Sequence, residues 1–516
     1  MHPLAKLDRK HVWHPFTQMR DWLAREPVVI VEGRGAVLRD VHGREYLDAN
    51  SSIWTNLHGH NHPKINSAIQ SQLKKIAHSS ALGLANEPAS LLAKELVEAA
   101  NQGWSPAFRL SGDRLKPELQ LARQSQIANR KLERVFFSDD GSTALEVALK
   151  LAHEFTRRTR GKQVGRASPR AAQPKFLSLE GAYHGDTVGA VALGHIDLFH
   201  KAYSGLLFKT DKVMSPFCYH CPFNRARPER ADAREYRKCN WECVGSVERT
   251  FSKQKINGNP YAAFVFEPLI QGAAGMIPQP AGWLKNVSEI ARGHGALLIA
   301  DEVMTGFGRT GVAPVPNQFP TQAGQKVRDR RDACPTLFAC HRENVQPDFL
   351  CIAKGLTGGY LPMAATLTTQ KIFDAFLGEY HEFKTFFHGH SYTGNQLGAA
   401  AALASLEILQ SIKSIRARQK LETVLRDELE ELWQLPNVGD IRQVGLIAGV
   451  ELVKDWRTRE PFAMRERAGI RVCEAMARRG VLTRPVGNVI VLMPPYCTTQ
   501  AQLLKMISAL REALTV

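Results

Sequence analysis

The chain has 516 residues, 44% hydrophobic and 23% charged, with 27 Pro and 39 Gly, proportions that exclude wholesale disorder and fibrous repeats. Its formal net charge of +17 and pI near 9.5 raise a nucleic-acid or membrane-surface partner. No apolar run approaches the roughly eighteen residues of a membrane span, and Met1 to Arg20 lacks the apolar core of a secretory signal. Nine Cys in so long a chain fit a reducing, cytoplasmic setting better than a disulfide framework.

The first 80 residues contain a hairpin-like run from Val28 to Asp48. Arg134 to Ser138 (RVFFS) predicts a strand, and Ser142 to Phe155 a helix behind it. Further strands are predicted at Lys175–Leu179, Tyr261–Phe266, Ala296–Ala300 and Phe349–Ala353, with helical patterns between them. Short apolar runs alternating with amphipathic helices predict an α/β fold with a largely parallel sheet covered on both faces. After about residue 396 come long helices, then a strand-like VLTRPVGNVIVLMPP. The expected organisation is a large domain over 81–395 and a smaller α/β domain built from 1–80 and 396–516.

Of the net +17, +16 lies in four stretches: Asn101–Lys131, Arg157–Lys175, Cys221–Asn240 and Val312–Leu337. They lack a sustained apolar period and read as surface loops or insertions. The most basic, Arg157–Lys175, contains no aromatic residue, whereas a single-strand nucleic-acid platform stacks bases on aromatics. Neither nucleic acid nor membrane is therefore expected as a partner.

In parallel sheets of this kind ligands gather at the carboxyl ends of the strands. Asp301 closes one predicted strand, and alone could be a cap, a metal ligand or a charge partner. Lys354 follows another and, if burial lowers its pKa, could be an amine nucleophile. Between a strand and a helix, Ser138–Thr143 could present Gly141, Ser142 and a helix N-terminus to a phosphate. Tyr183 and His184 place two rings after the next strand. A phosphate cradle, a stacking ring, an acid and a lysine suit pyridoxal 5′-phosphate, whose ring acts as electron sink while the lysine holds it as a Schiff base.

The segments DEVMTGFGRTG, AKGLTGGYLPMA and FFHGHSYTGNQLGAAAALASLEIL resemble class III, fold-type I aminotransferases. HVWHPFTQM, SSIWTNLHGHNHP, GAYHGDT, HGHSYTGN and RPVGNVIVLMPPY are similar to the diaminopelargonate aminotransferases of biotin synthesis within that family. The resemblance implies a homodimer with shared active sites that converts 8-amino-7-oxononanoate to 7,8-diaminononanoate. It implies that Lys354 carries the cofactor and moves the substrate proton, that Asp301 pairs with the pyridine nitrogen, and that Tyr183 lies against the ring. Gly141 and Ser142 would bind the phosphate, joined across the dimer interface by His390 and Ser391. Phe16, Trp54, Gly389 and Arg484 would face the substrate, Arg484 meeting a carboxylate. Arg309 either faces the site as well or belongs to a structural ion pair. The rival activities are an ω-amino-acid aminotransferase of the ornithine or 4-aminobutyrate kind, and a non-catalytic basic binding protein on the same fold.

Three departures matter. Asp140 stands where the family usually has Ser, and a carboxylate beside a phosphate should point away. Val312–Leu337 lengthens the segment between Asp301 and Lys354. Phe16 and Ile53 stand where enzymes that take their amine from S-adenosylmethionine typically carry Tyr and a second Trp, which points to L-lysine as donor. Aminotransfer needs no metal, so no metal ligands are assigned in the site. Separately, Cys218-x2-Cys221 and Cys239-x3-Cys243 have a spacing that either closes a structural zinc site or leaves four free thiols.

Overall fold

The computed structural model describes residues 1–102, 130–160, 173–223, 239–311 and 336–515. Most of the four basic stretches, and with them the expectation that these are surface insertions, lies outside the described residues. One part of that expectation is corrected. Arg157 and Arg158 are not loop residues but the last turn of the Gly141–Arg160 helix. Their guanidinium groups donate to Glu154 at 2.8 and 2.6 Å, the i,i+3 and i,i+4 spacing at which helical side chains meet.

Seven strands form the central sheet: β1 (Leu132–Ser138), β2 (Lys175–Leu179), β3 (Asp211–Val213), β4 (Tyr261–Phe266), β5 (Leu297–Asp301), β6 (Phe349–Ile352) and β7 (Ala364–Thr369). Their order is β1-β7-β6-β5-β4-β2-β3. All neighbours are parallel except β7, which runs antiparallel to both β6 and β1. Five of these coincide with strands predicted from the sequence, and β3 and β7 do not. β3 has only three residues, and β7 (AATLTT) is wholly buried yet too poor in large apolar side chains to stand out.

The strands read as continuous apolar runs because both faces are covered. Phe264, Phe266, Leu298, Ala300 and Leu350 point into one core with Trp283, Leu284 and Val287 of the Trp283–Gly293 helix. The alternating residues Val265, Ile299, Phe349 and Cys351 pack on the other face against Ala144, Ala148 and Phe155 of the Gly141–Arg160 helix.

Chain ends meet in a further sheet. Ile30–Arg34, Val37–Asp40 and Glu45–Asp48 form an antiparallel ribbon, and Val481–Leu482 joins it in parallel, with Val481 opposite Leu47. Another sheet runs from Val438–Val444 through Ile447–Asp455 to Val489–Leu492 and Pro485–Val486, beside which Arg484 lies in the chain. Among the described residues no helix is long and apolar enough to cross a membrane.

Candidate active site

β1, β2, β4, β5 and β6 all deliver chemistry at their carboxyl ends, as a parallel sheet requires. After β1, the Gly141–Arg160 helix begins. Its first intrahelical bond runs from the Ala144 N–H to the Asp140 carbonyl, so the Gly141 and Ser142 N–H groups precede the helical ladder. Asp140 is the cap: its Oδ1 accepts the Thr143 N–H at 2.9 Å, while Thr143 Oγ1 accepts from Asp140 N at 3.0 Å. The carboxylate is thus used on the helix itself.

Ser142 Oγ accepts the Asp186 N–H at 3.1 Å, across from the turn after β2. That approach is possible because residue 185 is glycine at φ +116; a Cβ there would lie 2.0 Å from Ser142 Oγ. In the same turn Tyr183 O–H donates to Asp186 Oδ2 at 2.7 Å. The Tyr183 ring stacks on His200 at 6.2 Å and meets Phe16 edge-on at 6.5 Å. Burial, reinforced by Asp186, holds its phenol well above the ordinary value, so Tyr183 is neutral.

Asp301 ends β5, buried, with Oδ1 accepting the Val303 N–H at 3.0 Å and Oδ2 lying 2.8 Å from His184 Nδ1. Glu267, just past β4, is equally enclosed. Its oxygens accept the N–H groups of Tyr183 (3.3 Å) and Gly272 (2.8 Å), and burial pushes its carboxyl up to about 7. Neither His184 as a partner of Asp301 nor Glu267 as a site carboxyl is assigned from sequence, because pairings between strand ends are visible only once the strands are aligned.

Lys354 follows β6 in a left-handed conformation, φ 44. Burial lowers its pKa, Asp301 and Glu267 push it back up, and Arg309 adds to the lowering. Its Nζ lies 4.8 Å from the centre of the Trp54 ring. Among the described residues Arg309 is in no ion pair: buried, it donates to the carbonyls of Pro494 (2.9 Å) and Asn56 (3.1 Å), tying the GFGRTG turn to both chain ends. Arg484 and Phe16 come together, Arg484 Nη2 donating to the Phe16 carbonyl at 3.2 Å.

His390 lies at the helix N-terminus within the same chain, its Nδ1 3.4 Å from Asp139 Oδ2. Gly389 and Ser391 are exposed, and the described hydrogen bond to Ser391 comes from His78 to its carbonyl. Among the described residues Cys218, Cys221, Cys239 and Cys243 form no disulfide. Burial, with Cys239 and Cys221 adding to it, pushes Cys243 up to about 11. Among the described residues no group of three or more His, Cys, Asp or Glu is arranged to hold a metal ion.

The class III aminotransferase family pattern matches residues 20–315 and 334–514. The chain belongs to the class III aminotransferase family. The match runs through three of the basic stretches. It breaks only in the fourth, within the long segment between Asp301 and Lys354. The chain is 43% identical over 511 residues to an adenosylmethionine-8-amino-7-oxononanoate aminotransferase of Geobacter sulfurreducens, covering 99% of this chain and 97% of that one. Its likeness to the enzyme of that name from Aquifex aeolicus is 40% over 513 residues, 99% and 97% covered. The crystal structure of the Methanocaldococcus jannaschii protein of the same name superposes with a TM-score of 0.80 at 36% identity, over 99% of this chain and 98% of that one. A PLP-bound amine transaminase from an uncultivated Pseudomonas species gives 0.78 at 29%, over 98% of each.

The residues present fit the family's cofactor, pyridoxal phosphate. Ser138 Oγ, Thr187 Oγ1, His184 Nε2, Trp54 Nε1 and His390 Nε2 are buried in the segments that form the site. None has a hydrogen-bond partner among the described residues, and buried polar atoms of this sort ordinarily find one. The uncapped Gly141 and Ser142 N–H groups suit a phosphate dianion, Tyr183 offers a ring face, Asp301 an acceptor and Lys354 the amine.

Proposed function

We propose that this aminotransferase makes 7,8-diaminononanoate from 8-amino-7-oxononanoate in biotin synthesis. The observation that carries the reading is the placement of Lys354, Asp301, Tyr183 and the Gly141–Ser142 helix start at the carboxyl ends of strands of one sheet. Full-length relatives named for that substrate support it. Bound pyridoxal phosphate supplies a carbonyl that captures the donor amine and a ring that accepts electron density. Lys354 Nζ, with its pKa lowered by burial, takes the proton from the substrate carbon and returns it. Asp301, oriented by His184 and the Val303 N–H, receives the ring nitrogen. Gly141 and Ser142 would hold the phosphate, with Ser391 reaching it from a second subunit, while His390 stays beside Asp139 of its own chain. Phe16, Trp54 and Tyr183 form the apolar wall, Gly389 leaves room, and Arg484 meets the carboxylate. Purified protein should absorb in the visible and Lys354→Ala should not; an unchanged spectrum overturns the assignment.

The proposed amino donor is L-lysine, because Phe16 lacks the hydroxyl and Ile53 the indole typical of enzymes that use S-adenosylmethionine. The relatives' names favour S-adenosylmethionine as a second reading. Presenting each donor alone and following bleaching of the bound cofactor decides between them: bleaching by S-adenosylmethionine only refutes lysine.

The proposed working form is a cytoplasmic homodimer. Leu82, Tyr380, Phe387 and Tyr392 are 91%, 95%, 73% and 62% exposed, large apolar side chains of the kind an interface covers. Sedimentation that finds only monomer at assay concentration counts against it.

A further inference from the structure

Between Asp48 and Lys354 lies a turn of unusual backbone conformation. Ser51, Ser52, Ile53 and Trp54 have φ values of 46, 48, 60 and 68, so a complete left-handed turn is built without a glycine. Such residues rarely adopt this conformation singly, and a run of four persists only when the surroundings impose it.

Asp48, buried at the end of the Glu45–Asp48 strand, supplies that restraint. Its Oδ1 accepts the N–H groups of Asn50 (3.3 Å) and Ser52 (3.0 Å), and its Oδ2 accepts Ser52 Oγ–H at 2.8 Å. His60 Nε2 lies 3.1 Å from the same Oδ2. The proton on His60 follows from its other neighbour. Asn56 Oδ1 is committed to the Gly59 N–H at 2.8 Å, so Asn56 Nδ2 donates to His60 Nδ1 at 3.0 Å. Nε2 therefore carries the hydrogen and donates it to Asp48. Ser51 Oγ–H donates to the Met493 carbonyl at 2.6 Å, anchoring the turn to the C-terminal segment. The turn ends at Trp54, whose ring meets the Lys354 amine.

We propose that Asp48 and His60 are positioning residues for the catalytic lysine: by holding the left-handed turn they fix the indole of Trp54 against the Lys354 amine. A ring face favours an ammonium over an amine. The other charged groups acting on that amine are Asp301 and Glu267, which favour its charged form, and Arg309, which opposes it. Trp54 thus adds to the pair that offsets burial, and Asp48 decides whether it is in place.

The inference rests on Lys354 being the cofactor lysine. The test is reconstitution of apo-protein with pyridoxal phosphate, followed by absorbance as a function of pH. In wild type the rate rises as Lys354 loses its proton. Asp48→Asn keeps the volume but turns one acceptor into a donor facing His60 and Ser52. With the indole released, the midpoint should fall by about half a pH unit, and kcat should fall about tenfold. Trp54→Leu should give the same midpoint shift, and the double variant no more than the single one. A purely structural role for Asp48 would lower the melting temperature and leave the midpoint of the folded fraction unchanged, which overturns the proposal. If Asp48→Asn does not fold, His60→Gln replaces it with the same two outcomes. A Lys354→Ala protein that still forms the visible adduct would instead overturn the assignment of the lysine.

Discussion

His184 Nδ1 lies 2.8 Å from Asp301 Oδ2, both side chains buried, Asp301 at the end of β5 and His184 in the turn after β2, two strands across the sheet. The contact leaves the carboxylate one fixed orientation, with its other oxygen on the Val303 N–H. Replacing His184 by Ala should cost the order of a hydrogen bond to a charged group, about 1.5–3 kcal/mol. It should therefore lower kcat about 10- to 100-fold while cofactor content is retained. Single-turnover rates with saturating donor measure it; an unchanged rate means Asp301 needs no orienting partner.

Asp140 acts as a helix cap and not as a cofactor contact. Asp140→Ala should reduce stability by about 1 kcal/mol without weakening pyridoxal phosphate. Asp140→Ser should be close to neutral in both respects. Melting temperature and a cofactor titration on each variant separate the two effects.

Arg484 is exposed at the site's edge and tethered only lightly, by one bond to the Phe16 carbonyl. Arg484→Lys keeps the charge but loses the planar fork that pairs with a carboxylate. The KM for 8-amino-7-oxononanoate should rise about tenfold, with kcat for the donor half-reaction unchanged.

The Phe16 ring faces Tyr183 and also Phe199, the latter at 5.4 Å, and is itself 59% exposed. A hydroxyl can be added there without displacing core. Phe16→Tyr should raise kcat/KM for S-adenosylmethionine relative to lysine, since a placed hydrogen bond discriminates more strongly than apolar contact. Donor competition assays read the ratio.

Glu302, fully buried, accepts the Cys340 N–H at 2.8 Å and the Ala339 N–H at 2.6 Å, and burial pushes its carboxyl up to about 7. A raised carboxyl binds its proton more tightly folded than unfolded. Its contribution is therefore full below about pH 4.5 and is lost as pH rises through about 7. Denaturation of apo-protein at pH 5 and pH 8 should show wild type losing up to about 3 kcal/mol relative to Glu302→Gln over that window. A constant difference between the two would mean that Glu302 does not titrate there.

The charge of +17 illustrates where composition misleads. Located along the chain, it sits in stretches that interrupt a nearly neutral framework, and the family match passes through three of them. The two missed strands fail for different reasons, β3 for its length and β7 for its small and hydroxylic residues. Tertiary pairing makes both of them strands, not local preference. Arg309 shows the same limit in the site: an arginine in a glycine-rich turn is legible, but its carbonyl partners lie 185 and 253 residues away.

By itself the sequence determined the strand-and-helix alternation, the lysine and acid at strand ends, and the family motifs, because these depend on residue type and short spacing. Only the tertiary structure decided that His184 holds Asp301, that Glu267 is a buried site carboxyl, and that a left-handed turn pinned by Asp48 seats Trp54 on Lys354. Those relationships depend on strand register and on desolvation. Both arise when distant segments pack, and neither leaves a local signature.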